Sequence, residues 1–396
     1  MAVQHQSAER RDDLSDPRAA PAVQSVDVVI LGAGPAGLAC AIAVRRQAAL
    51  GVLVVDSGPP ERERPGESAP PQLLDAIRRL GLDERFLAGG HCTYPGNISL
   101  WGAAQPACKD AIFSPAGAPW RLDRPRFDAL LAEAATARGA ALAWHTRYSG
   151  SEAIDDGRAG YRLRLADRAT GALRDVHARF VIDASGPSAR FARDRGACRI
   201  VDDRLHALAC FAPIAPGAMT MQAAVEATEH GWWYAARLPR DRAVVLHVVD
   251  KPVWQALWVD GCAGWDAALA STSLIRGLLP AAPPASRQYH AFPIYSSRLD
   301  RTCGRGWLAT GDAASTYDPI VAQGLYKALS DGLRAGQRAA AALSGSAADT
   351  GYGDRLRARY AEYFAHRRAL YDQERRWPHA PFWRDRHERR ATDHAR

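Results

Sequence analysis

The chain has 396 residues, 47% of them hydrophobic and 24% charged, with a formal net charge of +8. That length allows a large core and two lobes, and the composition is that of a globular protein rather than a disordered or fibrous one. No run approaches the roughly 18 consecutive apolar residues of a membrane helix, and seven scattered cysteines without a C-x-x-C spacing argue against a disulfide framework and against zinc.

The positive charge is almost entirely arginine, the only lysines being Lys109, Lys251 and Lys327. Much of the excess lies in 366–396. No other basic stripe is interleaved with aromatics, so nucleic acid is not expected, and an acidic or anionic partner surface is preferred. Unpaired cysteines suggest a reducing, cytoplasmic compartment. At the N-terminus Arg10 and Arg11 are followed by acidic and polar residues, without the apolar segment of a signal peptide. Residues 1–24 are expected to form a disordered leader.

The first ordered element is the run "VDVVILGAGPAG", 26–37, a β-type apolar stretch ending in Gly32, Gly34 and Gly37. Helical spacing follows, then a second apolar run, "VLVVD", closing on Asp56. Strand, G-x-G-x-x-G, helix, strand and terminal acid in this order predict a dinucleotide-binding βαβ unit. The first Gly allows a tight turn, the second lets backbone approach a pyrophosphate, and the third lets helix and strand pack closely. The helix N-terminus offers N–H groups to phosphate, and Asp56 can hold a ribose hydroxyl pair. The residues fit FAD or NAD equally. No second such unit follows, so a dedicated NAD(P)H domain is not expected.

Glu67 and Ser68 stand in a Pro-rich loop before a helical face made by Leu73, Leu74, Ile77 and Leu80. Another amphipathic helix begins near Pro125. Arg124 and Arg126 at its start oppose the helix dipole, which suggests that they hold an anion or a carbonyl, or else are simply exposed. The run "RFVIDASGPSAR" reads as a buried strand followed by Asp183, Gly186 and Arg190. From 205 to 250, apolar runs predict an antiparallel sheet of a second lobe. There Trp232, Trp233 and Tyr234 could line a pocket for an aromatic substrate or pack as core. Trp254, Trp258 and Trp265 lie on a helical stretch and read as packing residues. His91, His230, His247 and His290 have no metal spacing, and neither H-E-x-x-H, G-x-S-x-G nor a Walker A sequence occurs. Finally "GDAASTYDP", 311–319, joins an apolar run to a helix. Asp318 before Pro319 has the pattern of an N-cap with Pro at the first helical position.

Taken in order, "GAGPAG", "GES", "RPRFDALL", "DASG" and "GDAASTYDP…QG" resemble the flavoprotein monooxygenases of the p-hydroxybenzoate hydroxylase type over about residues 25–345. Within them the chain is similar to the tryptophan-halogenase-like branch. "GWWYAARLP" and "GDAASTYDPIVAQGLYKAL" most resemble its members that hydroxylate a peptidyl tryptophan during cysteine tryptophylquinone formation. The resemblance implies an α/β fold: a Rossmann-like FAD-binding domain (25–92, 120–195 and 296–345), an inserted antiparallel β-sheet substrate domain (93–119 and 196–295), and a C-terminal helix with an Arg-rich tail (346–396).

It also implies roles. Gly32, Gly34, Gly37 and Asp56 would hold the ADP half of FAD. Glu67, Ser68, Arg124, Asp183, Gly186, Gly311 and Asp312 would complete the cofactor site, and Pro319, Gln323 and Gly324 would lie under the isoalloxazine ring. The implied reaction is hydroxylation of an electron-rich aromatic ring through a flavin C4a-hydroperoxide. It would use dioxygen, with NAD(P)H or reduced flavin from a partner reductase as donor. The substrate would be a tryptophan of a client protein. Halogenating members carry a catalytic Lys downstream of the Gly-Glu-Ser-type motif, but the first Lys after Glu67 here is Lys109, too far along for that role. Their W-x-W-x-I-P signature is absent too. Alternatives are a dehydrogenase or reductase of the same fold, a halogenase, and a non-catalytic FAD-binding escort that grips a client through its Arg-rich tail.

Overall fold

A computed structural model describes residues 24–59, 66–154, 160–279, 286–346 and 351–392. All but the last residue of the expected leader lies outside these. The central sheet follows from the apolar runs. Strand Gln24–Leu31 pairs in parallel with Val52–Val55 on one side and with Leu173–Asp183 on the other. Ala141–Ala143 and Trp307–Ala309 extend the parallel sheet outward. Val28 to Leu31 and Val52 to Val55 are buried on both faces, as parallel strands covered by helices must be. An antiparallel pair, Thr146–Ile154 and Gly160–Asp167, joins the sheet through Leu173–Asp183.

Helix Pro35–Gln47 crosses one face and is itself covered by helix Gly324–Leu343. The two backbones nearly touch. A Cβ on Gly332 would lie 2.3 Å from the Ala36 carbonyl oxygen, and one on Gly336 would lie 2.5 Å from that of Cys40. This close approach brings the turn at 311–324 beside the Gly-rich loop.

The second sheet has seven strands in the order Gln288–Pro293, Leu205–Pro213, Arg242–Asp250, Gly231–Leu238, Ala223–Thr228, Gly96–Leu100 and Ala107–Asp110. Its pairs are antiparallel except Ala223–Thr228 with Gly96–Leu100, which run parallel. Helices Lys251–Ala270 and Leu274–Leu278 cover one face through Leu257, Trp265 and Ile275. The Glu226 carboxylate accepts from the N–H groups of Ser273, Leu274 and Ile275 and so fixes the start of the second of these helices.

The other face receives the C-terminal helices Tyr352–Tyr371 and Pro381–Thr392 through Tyr371, Phe382 and Trp383. Part of the expected Arg-rich tail is taken up inside the fold. Arg367 and Arg386 are buried against Asp203, Asp318 and Asp250, and Arg376 is paired with the buried Glu374. These three arginines are paired inside the fold, whereas Arg375 and Arg384 are exposed. No helix among the described residues is long and apolar enough to cross a membrane.

His247 lies in this sheet, stacked on Trp233 with ring centroids 3.8 Å apart, and neither ring nitrogen has a hydrogen-bond partner. Burial, with a smaller push from His230, lowers its pKa to about 3. The unfolded chain therefore binds this proton below about pH 6.5 while the native state does not until about pH 3. Native stability should fall as pH drops through that window, by up to roughly 1.4 kcal/mol per pH unit from this group. His247→Phe is expected to flatten the acid limb of urea-unfolding midpoints between pH 7 and 4. A limb as steep as that of the native protein would refute the assignment.

Candidate functional site

The Gly-rich loop, the residues after strand Leu173–Asp183 and the turn after strand Trp307–Ala309 converge on a cavity of about 530 Å³. Gly32 has φ +110°, and a Cβ there would lie 2.2 Å from the Ala184 carbonyl oxygen; a Cβ on Gly37 would lie 1.9 Å from that of Gly32. Gly34 stands at the N-cap of helix Pro35–Gln47 with no side chain covering the helix N–H groups. The Asp56 carboxylate accepts from Ala33 N–H and Gly58 N–H, both at 2.8 Å, and ties the loop to the end of the second strand.

Of the residues expected in the site, Gly32, Gly34, Asp56, Arg124, Gly186, Asp312 and Gly324 line this cavity. Arg124 is buried. It donates to the Gly66 carbonyl (3.1 Å) and pairs with Asp128 (3.2 Å), so it holds a carbonyl rather than lying exposed. Arg126 is more exposed and pairs with Asp123 at 3.7 Å. Asp312, in the turn Gly311–Ala313, has a half-exposed carboxylate 3.0 Å from Lys327 Nζ. Lys327 is buried, stands 4.8 Å from the centre of the Tyr317 ring, and also donates to the Ser315 carbonyl. Sequence reasoning passed over Lys327. A single Lys inside the apolar stretch "GLYKAL" was the signal that could have found it.

Other expected residues do not line this cavity. Asp183 lies behind the cavity wall, not in it. Its carboxylate is fully buried and accepts from Ser185 N–H (3.0 Å), Ser185 Oγ (2.6 Å) and Ala192 N–H (2.8 Å). Burial raises its pKa against these hydrogen bonds. It therefore braces the loop that carries Gly186. Pro319 and Gln323 also lie outside the cavity lining. Pro319 begins a short 3-10 turn, Pro319–Val321, with Ile320 N–H donating to Asp318 Oδ1 at 2.9 Å. Asp318 is the expected cap, but of this turn; helix Gly324–Leu343 starts after Ala322, whose φ is +50°. The same Asp318 carboxylate accepts from Arg367 Nε (2.9 Å) and the Tyr371 hydroxyl (2.8 Å).

Trp232, Trp233 and Tyr234 do not form one wall, because neighbours on a strand point to opposite faces. Trp233 is buried under helix Lys251–Ala270 against Trp265, so it cannot reach the other lobe. Trp232 is buried on the other face, with its indole N–H donating to the Tyr371 hydroxyl at 2.8 Å. Tyr234 shares that face and is half-buried beside Leu246 and Phe292, near Ile320 of the 3-10 turn. These half-buried side chains and Ile320 pack against one cluster that also holds Trp232. Trp254 is tilted against His206 and Trp265 is core, as expected of packing residues. Of the four histidines without metal spacing, none lines the cavity; His91, its pKa lowered to about 4 mainly by burial, accepts from Asp123 N–H.

Glu67 and Ser68 lie between the lobes. Glu67 is buried beside a void of about 20 Å³ with Arg124, Phe211 and Leu238. Burial raises its pKa, and Arg124 opposes the rise. Ser68 Oγ meets the Tyr234 hydroxyl at 2.5 Å and accepts from Arg121. No group of three or more His, Cys, Asp or Glu among the described residues is placed to hold a metal.

The parallel sheet and the glycine cradle at the helix N-terminus define a Rossmann-type dinucleotide-binding fold, with the seven-stranded sheet as a second lobe. The chain belongs to the FAD-binding domain family, whose model matches residues 25–361. It is 27% identical over 375 residues to LodB of Marinomonas mediterranea, whose assignment as an FAD-dependent oxidoreductase is itself provisional, covering 94% of this chain and 100% of LodB. It is 27% identical over 333 residues to the 1H-pyrrole-2-carbonyl-[peptidyl-carrier protein] brominase of Pseudoalteromonas luteoviolacea (82% of this chain, 79% of the brominase). Among solved structures, the peptidyl tryptophan dihydroxylase QhpG, essential for tryptophylquinone cofactor biogenesis, superimposes with a TM-score of 0.73 at 26% identity over 92% of this chain and 79% of QhpG. The myxobacterial chondrochloren halogenase CndH shares the fold with a TM-score of 0.81 at 21% identity, over 93% of this chain and 88% of CndH. The residues present fit FAD. The cradle has no room for a Cβ at Gly32 or Gly37, and a carboxylate held by a buried Lys faces the cavity.

Proposed function

We propose that this FAD-dependent enzyme is a monooxygenase that hydroxylates an electron-rich aromatic ring, and that the ring is a tryptophan side chain of a client protein during quinone cofactor biogenesis. The observation that carries the reading is the similarity to QhpG across nearly the whole chain, and the half-buried Tyr234, Leu246 and Phe292, which pack against the same cluster as Ile320 of the 3-10 turn, are the candidates to meet a ring. In this reading Gly32, Gly34, Gly37 and Asp56 hold the nucleotide half of FAD. Arg124, Gly186, Gly311 and Asp312 hold the central part, and Pro319, Gln323 and Gly324 flank the ring system. Bound FAD supplies the two-electron chemistry by which dioxygen becomes an oxygen donor. The chain's own contribution is to exclude water with Tyr234, Leu246, Phe292 and Ile320, and to orient the substrate ring. NAD(P)H or a reductase that delivers reduced flavin would provide the electrons.

Bromination is the second reading, favoured by the likeness to the brominase. The lack of a Lys soon after Glu67 weighs against it. The test is a single-turnover reaction of the chemically reduced holoenzyme with tryptophan-containing client peptides, bromide and isotopically heavy dioxygen. Gain of one heavy oxygen atom on an indole, the second leaving as water, is the expected result. Gain of bromine would install the second reading, and release of peroxide alone would refute both.

A further inference from the structure

Arg121 ends the short strand Trp120–Arg121 at the junction of the two lobes and is fully buried. Its Nη1 donates to Ser68 Oγ and to the Tyr234 hydroxyl, and its guanidinium carbon stands 4.1 Å from the centre of the Tyr94 ring. Its Nε and Nη2 have no hydrogen-bond partner, and among the described residues no carboxylate lies within ion-pair distance of it. Those two nitrogens form the side-on edge of the guanidinium, the edge that takes both oxygens of a carboxylate. A buried cation left in this state is costly, and a ligand that brings the opposite charge removes the cost.

The unfilled edge is separate from the cofactor cavity, whose lining includes neither Arg121, Ser68 nor Tyr234. Through its other nitrogen, Nη1, Arg121 is joined to the apolar residues. The hydroxyl that Arg121 holds belongs to Tyr234, which packs against one cluster with Leu246 and Phe292. The nearby Glu67 feels the charge of Arg121, which opposes the burial-driven rise of its pKa less than Arg124 does, but is not hydrogen-bonded to it; among the described residues its carboxylate accepts from Gly66 N–H. We propose that Arg121 is a specificity-determining residue that receives a carboxylate of the substrate, so that the preferred substrate is an aromatic ring carrying an acid group within side-chain reach. For a protein client, that is a tryptophan with an acidic side chain beside it. The ring assignment rests on the function proposed above; the carboxylate assignment rests on Arg121.

The test is titration of the full FAD-loaded chain with indole-3-acetate and with its neutral isostere indole-3-acetamide, read by perturbation of the flavin absorbance. The native protein should bind the acetate at least about tenfold more tightly, since a charge pair between buried partners is at stake. Arg121→Met should abolish that preference while leaving acetamide and FAD binding unchanged. It should also melt no lower than the native protein in the absence of ligand, because a buried unpaired charge has been removed. Equal binding of the two ligands by the native protein, binding of neither, or a preference retained in Arg121→Met would overturn the proposal. A clear fall in the melting temperature of the variant would do so as well, by making Arg121 a structural residue. If the preference holds but no indole of a client peptide gains oxygen, the carboxylate site stands and the tryptophan reading falls.

Discussion

Gly37→Ala is expected to yield a protein that does not retain FAD. The added methyl would sit 1.9 Å from the Gly32 carbonyl oxygen and 3.3 Å from the Ala184 Cβ. The first of these is backbone and cannot swing aside as the end of a side chain would. Relief requires helix Pro35–Gln47 to move off the loop, but the opposite face of that helix is held by the backbone contacts at Gly332 and Gly336. Overpacking of a well-filled core costs about 1–3 kcal/mol, and a backbone clash this short belongs at or above the top of that range. Loss of about 3 kcal/mol from the cradle alone would weaken the cofactor roughly a hundredfold. Flavin content after gel filtration and the thermal midpoint of the apoprotein measure the two effects separately. Gly277→Ala is the control. That glycine is in helix Leu274–Leu278 with open space around the new methyl, so stability should be unchanged or raised by about 1 kcal/mol at most. Full flavin content in Gly37→Ala would rule out the cradle as placed.

Asp203→Ala should be among the most destabilising substitutions of a polar residue in the chain. Asp203 is buried, accepts from Arg386 Nε at 3.1 Å and Nη2 at 3.3 Å, and pairs with Arg367. Removing it leaves two buried guanidinium groups with Asp318 and Asp250 as their remaining carboxylates. Breaking a buried ion-pair network in this way costs about 3–5 kcal/mol. The loss should also reach the cofactor side. Arg367 and Tyr371 fix the carboxylate that caps the turn at Pro319, and the Tyr363 hydroxyl accepts from Asp318 N–H at 2.7 Å. Asp203→Asn keeps an oxygen acceptor and should cost less. Urea unfolding of the three proteins decides this. Equal midpoints would mean that the C-terminal helices do not depend on the network.

Several features were legible in the residues because they depend on local order. The apolar run before Gly32, the helical spacing after Gly37 and Asp56 at the end of the next run fix a parallel βαβ unit, since each piece is specified by its own neighbours. Asp318 before Pro319 announced a cap for the same reason. The likeness in motif order extended this to the FAD-binding family and to a second sheet. Side-chain direction across that sheet was not legible: three consecutive aromatics suggested one wall, whereas strand alternation sends Trp233 under a helix and Trp232 and Tyr234 to the other face. The fate of the C-terminal arginines was equally hidden, because their carboxylates, Asp203, Asp250 and Asp318, are distant in sequence.

The sequence by itself determined the cofactor fold, through glycines whose spacing leaves no other economical packing and a carboxylate one strand away. The tertiary structure alone decided which charges are satisfied. It drew Arg367 and Arg386 of the tail into the core, gave Asp312 a buried Lys327, and left Arg121 with an open edge at the junction of the lobes. Charge satisfaction depends on distances between residues far apart along the chain, and those distances exist only once the two sheets have met.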